Sequence, residues 1–496
     1  MARTIGIIGG GFTGALLALH LLRRCDDQDR IFLFEKARRF GAGLAYSTGN
    51  AHHLLNVRAG NMSAFSAEPD HFVDWLQRLP DQTRTMIDDD PPGPASFAPR
   101  GLFGTYVQQA LAEAIWRGAR GDRLTIVNDE AVGVERELDG IALKLAVGRK
   151  IVVDTAVLAI GNFPPAQSAG PIFGDPWHER VLADLDPEAP VLILGTGLTM
   201  VDTVISLLDA GHKGPIQAIS RRGLLPRQHV GAIPDETGEI RLPKPWGFDP
   251  PPSGKSLVKL TQIVRQTIDR AERGGRGWRS VIDGLRPHTQ RLWRELSHVD
   301  RKRFLRHLRP WWDVHRHRAA PQVMARIAEA RERGQLQIVA AKVVSTDTDE
   351  NGVRVQVKPR GGNERIAYRG ARLIDCTGLS SDCTKVDQPL LKQLLDAGLI
   401  RPDLLRLGVD IADDGALIDR EGNAAADIFA IGPITKGAFW EIIAVPDLRI
   451  ACEAMAERLL PGEPAEQGKI TRLRSSAPPK ANLGASRDVL VSPLSD

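Results

Sequence analysis

Residues 4–14 read TIGIIGGGFTG. A short run of the buried-strand type ends at Gly9. Gly11 and Gly14 then complete GxGxxG spacing ahead of the apolar stretch ALLALHLL. That order predicts a strand, a tight turn and a helix. Gly9 permits the turn, Gly11 lets the backbone approach a pyrophosphate, and Gly14 lets the helix pack closely on the strand, with the helix N-terminus facing the phosphates. The spacing alone is a weak signal. The next apolar run, IFLFE, ends at Glu35. An acid roughly twenty residues past the glycines accepts hydrogen bonds from ribose hydroxyls. Taken together, these elements predict a dinucleotide site rather than a ligand-free glycine turn.

The device recurs. DLDPEAP precedes VLILGTGLTMVDTVISLL, a second buried strand with Gly195, Gly197 and then Thr199 opening a helix. Met200 stands where the third glycine would be, which predicts a helix held slightly away from its strand. The following strand, PIQAIS, ends in Ser220, Arg221 and Arg222, where a site selective for NAD has an acid. A guanidinium makes paired, charge-assisted hydrogen bonds to a 2′-phosphate, so the second site is predicted to take NADPH over NADH.

Composition sets the background. The chain has 496 residues, 42% apolar and 25% charged, which allows two or three cores in an ordinary folded protein. Its formal charge is +4, from 65 basic and 61 acidic residues. The basic excess lies mainly within residues 256–336; it favours anionic cofactors but is too small to imply nucleic acid. Cys25, Cys376, Cys383 and Cys452 form no CxxC pair and no zinc-type spacing, which fits a reducing, cytoplasmic setting and predicts no metal site. No signal-peptide pattern and no run of about eighteen apolar residues is present, so no membrane span is expected.

Further segments resemble a known family. Two glycine motifs, each opening a Rossmann-like unit, are similar to those of two-dinucleotide-binding-domain flavoproteins. These include disulfide reductases, flavin-containing monooxygenases and N-hydroxylating monooxygenases. VLAIGNFPP (157–165), containing Gly161, resembles the exit from the first domain; RLIDCTGL (372–379) resembles its counterpart in the second. GAGLAYST, HLLNVRAGNMSAF, FAPRGLFGTYV, RPWWDVHRHRAAP, FAIGPITKG and GAFWEIIAVPDLR together resemble the bacterial FAD-NAD(P)-binding family, over residues 1 to about 455.

The resemblance implies FAD at the first site and NADPH at the second. It implies that Glu35 holds the adenosine ribose, that Lys36 beside it belongs to the cofactor site, and that Arg100 approaches the FAD phosphates. The loop from Leu55 to Ser63, with Asn56, would lie beside the flavin ring, and Val132 would meet adenine through its backbone. Gly432, Pro433 and the segment Ala444 to Arg449, including Pro446, would close the other side.

The implied fold class is α/β, with two Rossmann-like dinucleotide-binding domains. A discontinuous FAD domain (1–185 and 386–462) has the NADPH domain (186–385) inserted in it, and a tail (463–496) reads as flexible. Within the second domain, about 250–334 reads as an arginine-rich helical insertion starting after KPWGFDPPPSGK. Its Trp278, Trp293, Trp311 and Trp312 are most simply core.

Two dinucleotide sites in one chain make sense if a hydride passes from nicotinamide to flavin. A disulfide reductase needs a redox cysteine pair, which is missing, and the Baeyer-Villiger histidine-tryptophan fingerprint is incomplete. The leading expectation is an NADPH-consuming FAD monooxygenase hydroxylating nitrogen or another heteroatom of a small polar substrate, with oxygen as co-substrate. The alternatives are an NADPH:acceptor oxidoreductase without oxygen insertion and a nucleotide-binding redox sensor. Trp440 and Glu441 are the substrate-side candidates, and Lys436 could stabilise negative charge on flavin or substrate. His315 and His317, with Arg309, Arg316 and Arg318, could line an anion-binding surface; a solvated face is the alternative.

Overall fold

Strand β1 (Thr4–Ile8), helix α1 (Phe12–Leu22) and strand β2 (Arg30–Phe34) form the first unit of a computed structural model. It describes residues 2–37, 39–87, 91–117, 123–163, 170–230, 233–234, 240–241, 251 and 253–462. The tail 463–496 and most of KPWGFDPPPSGK fall outside these residues. Helices α2 (Gly43–Tyr46), α3 (His71–Gln77), α4 (Asp81–Arg84) and α5 (Arg100–Arg117) separate this unit from β3 (Leu124–Val127). Antiparallel strands β4 (Ala131–Glu137), β5 (Gly140–Leu145) and β6 (Lys150–Val153) precede β7 (Thr155–Leu158).

The parallel register places Ile7 beside Leu33 and Val157. All three are fully buried, because this sheet is covered on both faces. α1 and α5 pack on one face, and α1 is apolar nearly all round because it lies within the core. The three-stranded sheet covers the other face. A Cβ at Gly6 would lie 2.8 Å from Leu143 Cδ1, so glycine there lets the two layers approach.

The chain then builds a second sheet from β8 (Ile172–Phe173), β9 (Val191–Leu194) and, after α6 (Leu198–Asp209), β10 (Ile216–Ser220). A short hairpin, β11 (Ile233–Pro234) with β12 (Ile240–Arg241), leads into helices α7 (Leu257–Arg273), α8 (Gly277–Leu285), α9 (Thr289–Glu295), α10 (His298–Arg303) and α11 (Arg309–Arg316). Helix α12 (Pro321–Glu332) packs on α6 and β13 (Leu336–Asp349). It is the crossover helix of the second sheet, so the inserted helices end at Arg316 rather than near residue 334. Strands β14 (Gly352–Pro359), β15 (Ile366–Gly370) and β16 (Arg372–Asp375) complete a seven-stranded sheet ordered β15-β14-β13-β10-β9-β16-β8.

After α13 (Pro389–Asp396), strands β17 (Ala416–Ile418) and β18 (Ala424–Ala430) return to the first sheet, giving the order β17-β18-β7-β1-β2-β3. Helix α14 (Val445–Leu459) then packs against α1. The insertion touches both units. Trp293 Nε1 donates to Gly437 O at 2.8 Å, Arg286 pairs with Asp447 at 2.8 Å, and Arg279 donates to Gln228 O at 3.1 Å. Trp293 is core as expected and Trp312 packs against it, whereas Trp311 is exposed; these three and Trp278 also border a cavity.

Candidate functional site

The first glycine turn is built tightly. Gly9 has φ +105°, and a Cβ there would lie 2.6 Å from Ala159 O. A Cβ on Gly14 would fall 1.8 Å from Gly9 O, which fixes the close approach of α1 to the turn. Around Gly11 the nearest atom to a Cβ would be Gly43 Cα at 3.6 Å, so that side of the turn is open. Gly11 caps α1 without a side-chain hydrogen bond, leaving the first backbone N–H groups and the positive end of the helix dipole facing this space.

Glu35 follows β2 directly and its carboxylate accepts from Ala37 N at 2.8 Å. Its side chain lies against Gly10, where a Cβ would be 2.7 Å from Glu35 Cβ. Lys36 is exposed and paired with Glu130 at 3.0 Å, which directs it away from the role expected for it. Val132 is the extra residue where the β4–β5 register slips between Ala131 and Gly133. Such a bulge leaves one residue out of the ladder, so the Val132 backbone is available to a ligand.

Gly432 has φ +87° and a Cβ there would meet the Thr13 side chain at 3.0 Å, so the loop after β18 closes over the start of α1. Pro433 opens the next turn and Pro446, buried, the first turn of α14. Gly161 also needs its left-handed backbone, with φ +71°. Asn56 O accepts from His229 Nε2 at 3.0 Å, tying the 55–63 loop to the second unit. Ser63 is wholly buried, and its hydroxyl bonds Glu68 O at 2.6 Å and Phe65 O at 3.0 Å. It therefore shapes the loop and is not offered to a cofactor.

Arg100 also departs from expectation. Its Nη1 lies 2.6 Å from Asp202 Oδ2 and its Nε donates to Leu54 O at 3.1 Å, so the guanidinium serves a buried contact between the units. Burial pushes the Asp202 carboxyl up, while Arg100 and His53 pull it back.

In the second turn Gly195 has φ +97°, with Cys376 O at 2.4 Å from a built Cβ. A Cβ on Gly197 would meet nothing within 4 Å, and Gly197 caps α6 without a side-chain bond. Thr199 stands in the first turn of α6, and Met200 is fully buried in the second core. The Ser220 hydroxyl is 2.9 Å from Thr196 Oγ1 and accepts from Gly223 N at 3.0 Å, which braces the turn. Among the described residues neither Arg221 nor Arg222 is held in an ion pair.

Trp440 and Glu441 are buried, not on an open substrate face. Glu441 holds φ +71° and accepts from Trp312 Nε1 at 2.8 Å, with His317 Nε2 at 3.3 Å and Arg316 Nε at 3.7 Å. Burial pushes its carboxyl up, but His317, Arg316 and Trp312 outweigh burial and hold it well below the ordinary carboxylate range. Lys436 Nζ sits 4.8 Å from the Trp440 ring centre, and burial and Arg309 lower its affinity for a proton. Arg309 pairs with Asp313 and Arg318 with Asp283. The expected anion-binding surface is thus largely an internal ionic network joining the insertion to the loop after Gly432.

Sequence reasoning missed Asp202, His229 and the Arg286–Asp447 pair. Each is an ordinary residue in its local pattern and gains its role only from a partner far along the chain. All four cysteines are buried and unpaired. Burial raises each thiol, Cys376 to about 12 and Cys383 to about 11, so none is poised as a thiolate.

Fold and glycine turns together define an α/β protein with two Rossmann-like dinucleotide-binding domains. A family described as FAD-NAD(P)-binding matches residues 6–163. Comparison with curated proteins gives no match. Among solved structures, ornithine hydroxylase from Pseudomonas aeruginosa is similar at 15% identity and a TM-score of 0.60, covering 93% of this chain and 99% of that one. L-lysine 6-monooxygenase from Pseudomonas syringae is similar at 14% identity and 0.60, covering 92% and 99%. The cadaverine monooxygenase of Erwinia amylovora, solved with FAD, has 13% identity and a TM-score of 0.60, covering 96% and 100%. At these identities the likeness establishes the fold. No helix among the described residues is long and apolar enough to cross a membrane.

Proposed function

We propose that this chain is an FAD-dependent, NADPH-consuming monooxygenase that hydroxylates nitrogen, or another heteroatom, of a small polar molecule. The observation carrying this reading is the pair of glycine cradles, Gly9–Gly14 and Gly195–Gly197, each opening onto an uncapped helix N-terminus in one chain. Bound FAD would supply the two-electron chemistry and the reaction with oxygen.

The protein's own groups bind and orient. Gly11 and the start of α1 receive the pyrophosphate, Glu35 accepts from ribose hydroxyls, and the Val132 backbone meets adenine. Gly432, Pro433, Pro446 and the 55–63 loop enclose the ring. Gly197, Thr199 and the α6 N-terminus receive the second pyrophosphate, and Arg221 with Arg222 the 2′-phosphate. Glu441, Trp440 and Lys436 act as positioning residues that hold the insertion against this loop. Four unpaired thiols support a reducing, cytoplasmic setting. The ornithine, lysine and cadaverine oxygenases of the same fold support a substrate with a terminal amine.

The test is aerobic NADPH oxidation with ornithine, lysine and cadaverine, measuring hydroxylated product and hydrogen peroxide. The reading expects one amine to give hydroxylated product in step with NADPH consumed. If every amine tested leaves all electrons in peroxide, the chain is an oxidoreductase without oxygen insertion toward this class.

A further inference from the structure

Helix α7 places Leu257, Leu260, Thr261, Val264 and Ile268 along one face, the spacing of a stripe that packs on a core. Except for Leu257, these residues stay only partly buried, because they border a cavity of about 660 Å³. Packed interiors hold few voids larger than a water molecule, and pockets of about 300–1,000 Å³ are the size that encloses an organic ligand. The opposite wall comes from α8, α9, α11 and Trp440. A π-helical turn, Phe304–Leu308, widens the path between α10 and α11 and puts both of its end residues into the wall. Such turns are frequent at functional sites.

The wall chemistry selects the occupant. The Thr261 and Thr289 hydroxyls are used by Leu257 O and Arg286 O, and Glu272 accepts from Trp278 N. His315 Nδ1 is 2.7 Å from Trp311 O, and its ring stands edge-on to Trp278 at 4.7 Å. Arg265 and Glu272 are exposed at the rim, so among the described residues a buried ammonium or carboxylate would find no counter-charge inside.

Trp440 stacks on Trp293 with ring centres 4.7 Å apart. Trp293 and Trp312 each spend their indole N–H on a protein acceptor, and the Trp440 indole nitrogen is sealed from solvent, so these three indoles offer the cavity no free N–H. We propose that this cavity is a binding site, separate from both nucleotide cradles, for a neutral, ring-bearing apolar molecule held by its aromatic and aliphatic walls.

The probe is a neutral acyl-dimethylaminonaphthalene dye, whose emission moves to the blue in apolar surroundings. It is titrated into the full-length FAD-containing protein without NADPH, so the outcome is independent of turnover and of the oxygenase reading. The expected result is saturable, blue-shifted emission with one dye per chain. Val264→Trp and Ile268→Trp, which fill the cavity, should weaken binding at least about tenfold. Amide hydrogen exchange on the wild-type protein gives a readout that no variant has to fold for, with dye-dependent protection expected across 257–316. The absence of a saturable site, unchanged affinity in folded filling variants, or protection confined to other segments would overturn the assignment.

Discussion

The Arg100 guanidinium, at the start of α5, lies 2.6 Å from the Asp202 carboxylate in α6, joining the two nucleotide units through a buried ion pair. Removing one partner of such a pair leaves an uncompensated buried charge, at a cost of about 3–5 kcal/mol. Arg100→Met should therefore destabilise the protein by roughly that amount in chemical denaturation, and adding Asp202→Leu should recover most of it. If Arg100→Met instead abolishes FAD binding with little loss of stability, the guanidinium belongs at the cofactor phosphates.

Gly14→Ala and Gly197→Ala separate packing from ligand contact. A Cβ at Gly14 collides with Gly9 O, whereas one at Gly197 meets no protein atom within 4 Å. The first change should give protein depleted of FAD and less stable. The second should leave the melting temperature and FAD content unchanged while raising the KM for NADPH about tenfold, because a methyl group then occupies pyrophosphate space. A Gly197→Ala protein with unaltered NADPH kinetics would remove that turn from the nucleotide site.

Replacing Arg221 and Arg222 together with alanine should raise the KM for NADPH by on the order of tenfold to a hundredfold and leave NADH kinetics nearly unchanged. Steady-state kinetics with both nucleotides decides it. Equal effects on the two would mean that the pair is an ordinary solvated surface.

Two histidines shielded from water, His20 buried and His229 half-buried, predict acid sensitivity. Burial, followed by Arg318, lowers His229 to about 3, and burial lowers His20 to about 4. Each binds a proton more readily when unfolded, where its pKa is about 6.5. Their stabilisation is complete above that pH and is lost progressively as the pH falls toward the folded values. Glu441, held below the ordinary range, adds its own slope as the pH falls below about 5, through the unfolded carboxylate value of about 4.3. His229→Gln should flatten the decline in urea midpoint between about pH 6.5 and 4, provided its amide still reaches Asn56 O. An unchanged slope would show that His229 is not the titrating group.

The cysteines should be chemically silent. With all four thiols buried and raised, the native protein should resist iodoacetamide, and a variant with all four changed to serine, if folded, should oxidise NADPH at the wild-type rate. Loss of activity on alkylation of the native enzyme would reopen a thiol mechanism.

The glycine turns were legible in the sequence because their chemistry is local. A strand, a turn needing positive φ and a helix N-terminus lie within about a dozen residues of one another. The positions of Glu35 at the end of β2 and of the arginine pair just past β10 were legible for the same reason. Arg100 and Ser63 were not, since a basic residue or a hydroxyl near a nucleotide turn looks alike whether it meets a ligand, a buried aspartate or a backbone carbonyl. The inserted helices were visible as a helical pattern. The cavity they border was not, because the apolar stripe of α7 reads the same over a packed core as over a ligand space. Glu441 shows the same limit: its partners Trp312, Arg316 and His317 come from a segment more than a hundred residues earlier.

The most direct measurement of the central claim is anaerobic mixing of the FAD-loaded protein with NADPH, and separately with NADH, following the visible flavin absorbance. Two cradles in one chain, the second followed by Arg221 and Arg222 just past β10, predict complete bleaching by NADPH and much slower bleaching by NADH. Bound FAD that keeps its colour in saturating NADPH would contradict the account.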